Sequence, residues 1–204
     1  MVDLKHTFSD RIFLPAARFR IKHRDYFHLK LLYRMMYHWL VEEGLVSRSS
    51  VDFPETYYLN REKPKKGDEV MIWWRIKKEV DKYYRYIINV NFKVIYLRKT
   101  EVMHQGQKFD TNWGEVEIIV ESRLEMDWQH ECGTGWRDHP FLKNFNELFH
   151  KRIFKKELES FKLELYRYSY RFQEAIKTYL QRPVYLPEGE KGTLWPELGL
   201  GDTK

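Results

Sequence analysis

His130, Cys132 and His139 lie close together in a stretch that also holds Gly133 and Gly135. Imidazole and thiolate are zinc ligand types, but a structural zinc site takes four ligands at tight spacing. No second Cys/His pair accompanies these three. Cys132 as a nucleophile with His139 as its base requires a lowered thiol pKa and a third group that orients the base. No residue pattern supplies either. Gly133-Thr134-Gly135 falls short of a phosphate-cradling glycine loop. Glu115, Glu117, Glu121, Glu125 and Asp127 offer carboxylates for acid–base work, yet along one strand they spread out instead of converging on a point. The sequence therefore predicts no catalytic residue, no metal and no cofactor, and favours a role outside catalysis.

Cations interleaved with aromatic rings suit a different chemistry, the binding of RNA or single-stranded DNA. Arg18, Arg20, Lys22 and Arg24 alternate, which places them on one side of an extended chain. Lys63, Lys65, Lys66, Lys77, Lys78 and Lys82 form a second group, with Trp73, Tyr83 and Tyr84 nearby in sequence. The plainer alternative is a solvated surface whose cations cover rings with their stems. An anionic membrane surface would attract the same residues, but no strongly basic amphipathic helix supports that, so a membrane partner is not expected.

The net charge of +6 is unevenly spread. Residues 61–100 hold 12 basic and five acidic side chains, residues 101–140 three and nine, and residues 141–182 ten and five. Two basic blocks thus flank an acidic one. A nucleic-acid binder usually shows one dominant sign on its working face. The alternation suits charge pairing within the chain, or head-to-tail association, at least as well. If Arg75 and Lys77 neighbour the glutamate-bearing strand, cross-strand pairs account for part of the pattern.

The elements that position these residues follow from periodicity. Phe141 to Leu180 contains neither glycine nor proline. Within it Phe154, Leu158, Phe161, Leu165, Tyr168, Phe172, Ala175 and Tyr179 recur in steps of four and three, the seam of a helix with one buried stripe. A helix over about residues 140–181 would span roughly 60 Å. Phenylalanine and tyrosine in the seam suit packing on a sheet better than a two-stranded coil. The expectation is that its first half covers the sheet. The second half, with Tyr166, Tyr168, Tyr170, Arg171, Phe172 and Tyr179, is expected to reach beyond it and offer an interface, since tyrosine and arginine are enriched in binding hot spots.

Asp25 to Glu43 reads as another helix, with Asp25 as N-cap and Gly44 at the C-terminal glycine position. Its Leu31, Leu32, Met35, Met36, Trp39 and Leu40 make a wide apolar arc. Residues 8–22 read as extended, with a short strand expected around Tyr57 to Leu59. Over Glu69–Glu79, Tyr83–Leu97 and Glu115–Trp128 the apolar residues fall on even positions, the period of strands with one buried face. Thr100–Met103 and Lys108–Thr111 flank a turn at Gln105-Gly106-Gln107.

The expected fold is α+β: an antiparallel meander of about four to five strands, covered on one face by an N-terminal and a long C-terminal helix. Residues 1–182 fit a single domain and 183–204 a Pro/Gly-containing tail. The single cysteine excludes an intrachain disulfide framework and fits a reducing compartment. The N-terminus lacks the apolar core of a signal peptide, and no stretch approaches the ~20 apolar residues of a membrane span. The composite expectation is a cytoplasmic interaction protein that forms homo-oligomers or docks on a protein partner. RNA or DNA binding through the basic groups is the alternative.

Overall fold

The computed structural model describes residues 12–47, 53–104, 107–126, 128 and 155–181. The chain runs β1 (Ile12–Phe27), α1 (Leu29–Glu42), β2 (Glu55–Arg61), β3 (Asp68–Glu79), β4 (Tyr84–His104), β5 (Gln107–Met126) and α2 (Lys155–Leu180). Every strand pair is antiparallel, in the order β1-β5-β4-β3-β2. The fold is α+β, with a meander from β2 to β5 and the first strand returning beside the last.

Alternation decides which face is buried. Val70, Ile72, Trp74 and Ile76 of β3, Tyr84 to Val94 on even positions of β4, and Val116, Ile118, Val120 and Leu124 of β5 form one wall of the core. Leu32, Met35, Met36, Trp39 and Leu40 of α1 and Leu165, Phe172, Ile176 and Leu180 of α2 form the other. Phe172 packs on Trp39 with ring centroids 4.8 Å apart. Each such side chain contributes roughly 1.5–3 kcal/mol by leaving water.

Glycines mark where the backbone turns. Gly44 follows α1 at φ +62°, and the amides of Gly44 and Leu45 donate to the carbonyls of Val41 and Leu40. That is the paired closure of a Schellman motif, with Leu45 and Leu40 both buried as its apolar contact. Gly67 has φ +85°, and a Cβ there would lie 2.7 Å from the carbonyl carbon of Tyr96. Tyr96 itself sits at φ 59°, in the β4 bulge between Ile95 and Arg98.

Four expectations need correction. The first helix begins at Leu29, not Asp25, because residues 25–27 stay paired with β5 through Asp25↔Gly114, Tyr26↔Trp113 and Phe27↔Asn112. The two broken strands around the tight turn are continuous arms of 21 and 20 residues. The second half of the long helical run packs on the sheet instead of reaching past it, against β1, β5 and α1. Its buried stripe is Leu165, Ser169, Phe172, Ile176 and Leu180, not the strict four-three seam. A straight helix turns once per 3.6 residues, so a heptad count drifts by about 20° per repeat. The drift moves Tyr168, Ala175 and Tyr179 to the stripe's margin. The earlier part of that run, the stretch with His130, Cys132 and His139, and the segment 183–204 expected to be a tail lie outside the described residues.

Candidate interaction surfaces

The outward face of the sheet carries the charge. The register puts Arg18 of β1 directly opposite Glu121 of β5 and Arg24 opposite Glu115. Arg18 Nε lies 3.1 Å from Glu121 Oε1, Arg20 Nε 3.2 Å from Glu117 Oε1, and Lys22 Nζ 2.8 Å from Glu115 Oε1. Arg24 lies over the Trp113 ring at 5.7 Å. The β1 cations are therefore paired with β5, whereas Arg75 and Lys77 are not its direct neighbours, because β4 stands between β3 and β5, and Glu121 acts on Arg75 only through its charge. Arg75 instead donates from Nη1 to Asn91 Oδ1 at 2.8 Å. The β1 cations remain well exposed on the side away from β5, with 73%, 63% and 59% of the Arg18, Arg20 and Lys22 side chains accessible.

The second basic group is not one cluster. Lys63, Lys65 and Lys66 occupy the β2–β3 turn, whereas Lys77, Lys78 and Lys82 lie at the far end of β3 and beyond it. Ten strand residues separate those ends by roughly 33 Å. Lys63 Nζ pairs with Glu69 Oε2 at 2.5 Å and holds that carboxyl below its usual range. Lys78 lies over the Tyr168 ring at 5.6 Å. Lys65, Lys66, Lys77 and Lys82 face solvent.

A patch near the β2 edge was missed as a unit. Tyr57 and Trp73, direct cross-strand partners, stack with centroids 4.4 Å apart and planes 27° apart. Arg75 lies over Trp73 at 5.5 Å. The sequence signal was a tryptophan on the polar side of a clean alternation, but its partner emerges only once the β2–β3 register is known.

The named residues of α2 divide between two sides. Phe172 is buried in the chain's own core, and the Tyr179 hydroxyl donates to the carbonyl of His28 at 3.3 Å. Arg171 pairs with Glu43 after α1. Tyr168 is half-buried, and that burial, helped by Glu164, raises its pKa. Tyr166 and Tyr170 remain exposed, with rings 4.4 Å apart, and the Tyr170 hydroxyl raises the pKa of Tyr166. Leu163, which the seam count passed over, is 49% exposed and joins them. At about 100° per residue the three fall within one narrow arc.

Two buried polar contacts stand out, one between the sheet and α2 and one between β4 and β5. Ser169 Oγ donates to the carbonyl of Leu165 at 2.8 Å and meets Ser122 Oγ of β5 at 2.6 Å. Arg85 and Glu125 form an ion pair, with the Glu125 side chain fully buried and the Trp128 ring over the guanidinium at 4.9 Å. Among the described residues no group of three His, Cys, Asp or Glu side chains is placed to hold a metal ion. No described helix is long and apolar enough to cross a membrane. Comparison with protein-family models, curated proteins and solved structures returns no match.

Proposed function

We propose that this chain is a non-enzymatic interaction protein that self-assembles, or docks in a larger complex, through the solvent side of α2. The observation that supports it is the stripe of Leu163, Tyr166 and Tyr170. These large side chains lie exposed along one flank of a helix whose sheet-facing stripe is buried. Tyrosines with one apolar face and one polar tip are interface residues by composition. The charge blocks lend less support than their sequence segregation implied, because the β1 and β5 sides are matched within the chain. Size-exclusion chromatography with light scattering tests the reading. The expected result is a discrete oligomer that Leu163→Ser with Tyr166→Ser and Tyr170→Ser converts to monomer. A wild-type monomer at high micromolar concentration across a range of salt would refute self-assembly.

One observation favours a second reading, binding of single-stranded RNA or DNA. Tyr57 and Trp73 present a stacked aromatic surface beside Arg75 and Asn91, the combination a flat sheet uses to hold unpaired bases. On this reading Trp73→Ala weakens binding of a labelled oligonucleotide, since stacking is worth about 1–3 kcal/mol per base. Affinity should fall steeply with salt. Charge reversal at Arg20, Lys22, Lys65 and Lys66 should matter less than Trp73→Ala, because Arg20 and Lys22 already have glutamate partners.

A further inference from the structure

We infer that the edge of β1 left unpaired among the described residues takes an extended acidic segment of a partner protein as an added strand, with α2 overhanging it as a side wall. The inference rests on the reading that the exposed side of α2 is a contact surface, and it names what that surface contacts. Among the described residues β1 is hydrogen-bonded to a strand on one side only. A strand edge offers unpaired N–H and C=O groups to another chain, the basis of recognition by strand addition.

What flanks that edge differs between the two faces. On the outward face stand Arg18, Arg20, Lys22 and Arg24, spaced two residues apart, each reached by β5 from one side only. On the inward face stands α2, and its orientation follows from its contacts. Phe161 meets Tyr84, Tyr86 donates from its hydroxyl to Glu164 Oε2 at 2.9 Å, and Lys78 lies over Tyr168, so that flank faces β3 and β4. Tyr166 and Tyr170 lie on the opposite flank, where Tyr170 meets Phe19 of β1 with centroids 6.3 Å apart. That flank overhangs the edge near Phe19, and Leu163 extends it.

An added strand has side chains of period two. Its outward residues would lie beside the β1 cations and its inward residues beneath Leu163, Tyr166 and Tyr170. The occupant that fits alternates carboxylates with apolar or aromatic residues. A second copy of β1 paired about Ile21 does not fit, because that two-fold antiparallel register sets Arg18, Arg20, Lys22 and Arg24 against the same four cations, and like charges opposite each other destabilise a pair.

The test uses the full chain and a peptide of about nine residues, roughly 30 Å when extended, alternating glutamate with leucine or tyrosine. A shuffled peptide of the same composition and a lysine-for-glutamate peptide are the controls. Binding is followed by fluorescence anisotropy, and amide hydrogen exchange is followed along β1. The expected result is saturable binding at least about tenfold tighter than either control, the scale of a few rim charge pairs and one apolar anchor. Alternate β1 amides that exchange fast in the free protein should become protected. Tyr166→Ser with Tyr170→Ser, both exposed, should weaken the peptide several-fold without changing the fold. Equal binding of all three peptides, protection confined to β2, or indifference to the tyrosine variant overturns the inference. So does a dimer of the chain itself that occupies β1. If the peptide fails while the triple α2 variant still dissolves an oligomer, the α2 reading survives and the acidic strand does not.

Discussion

The two sides of α2 make opposite predictions, and one residue named as an interface candidate separates them. Phe172 is 2% exposed and packed at a tilt on Trp39 of α1. Replacing a buried phenylalanine by alanine removes its transfer free energy and leaves a cavity, about 3–5 kcal/mol together. A domain is stable by only about 5–15 kcal/mol, so Phe172→Ala removes a large share. At about 2–4 °C per kcal/mol for a chain of this size, Tm should fall by about 6–20 °C. Tyr166→Ala with Tyr170→Ala loses two ring contacts, Tyr166–Tyr170 and Phe19–Tyr170, worth about 0.5–1.5 kcal/mol each, and little burial, so Tm should fall less than for Phe172→Ala.

Association should respond in the reverse order. If the exposed side of α2 assembles copies, wild-type Tm rises with protein concentration, because a partner that binds only the folded state stabilises it. The tyrosine double variant should lose that dependence, and Phe172→Ala should keep it at a lower Tm. Urea and thermal unfolding at two protein concentrations, alongside light scattering, read both quantities. A Phe172→Ala protein within about 1 kcal/mol of wild type would refute the core assignment, since cavity formation cannot be that mild in a packed layer. A tyrosine double variant as damaging as Phe172→Ala would refute the division into two sides.

Three further outcomes follow from particular contacts. Ser169→Ala strands the buried Ser122 hydroxyl and should cost about 1–3 kcal/mol, whereas Ser122→Ala with Ser169→Ala removes both partners and should cost no more than the single change; a double-mutant cycle measures the coupling. Burial raises the Tyr86 hydroxyl pKa well above the usual tyrosine range, and the hydrogen bond to Glu164 adds to it. An unfolded tyrosine releases its proton near pH 10, so this contribution is fully present below about pH 10 and is lost above it, by up to about 1.4 kcal/mol per pH unit for one proton. Tyr86→Phe should flatten the alkaline fall in stability without abolishing it, because Tyr33, donating to Glu55 and likewise raised chiefly by burial, titrates in the same direction; denaturation at pH 8 and pH 11 checks this. Gly67→Ala should destabilise more than Gly44→Ala, because both have positive φ but only Gly67 has backbone within reach of a new Cβ, and unfolding of the two variants side by side decides it.

Periodicity carried most of the fold. Even-position apolar residues in β3, β4 and β5 identified their buried faces because alternation survives wherever one side of a sheet meets water. Boundaries were less legible. Asp25 is a good N-cap by type, yet three more residues of pairing with β5 hold it in the strand, and a cap preference worth about 1 kcal/mol does not override those ladder bonds. Ser169 carried no apolar signal, although it sits in the centre of the buried stripe with Ser122 as its partner. For the candidate surfaces, residue type was readable and neighbourhood was not: Tyr57 and Trp73 are 16 positions apart, and only the β2–β3 register makes them a stack.

Charge shows the same division most clearly. The basic and acidic blocks are plain in the sequence, and internal pairing between them was one expectation. The expected basic partner was β3; the actual one is β1, because the first strand returns beside the last. That topology changes what the cations are free to do. Exposed ion pairs contribute about 0–1 kcal/mol each, so the β1–β5 contacts do little for stability, yet they lower the positive potential that a polyanion would feel on that side. A nucleic acid drawn to this chain would therefore have to rely on stacking at Tyr57 and Trp73 more than on the alternating arginines. A short acidic strand at the β1 edge feels the same lowered potential, but it adds what a nucleic acid cannot: backbone hydrogen bonds to an edge that no other described strand pairs, and apolar contacts beneath α2.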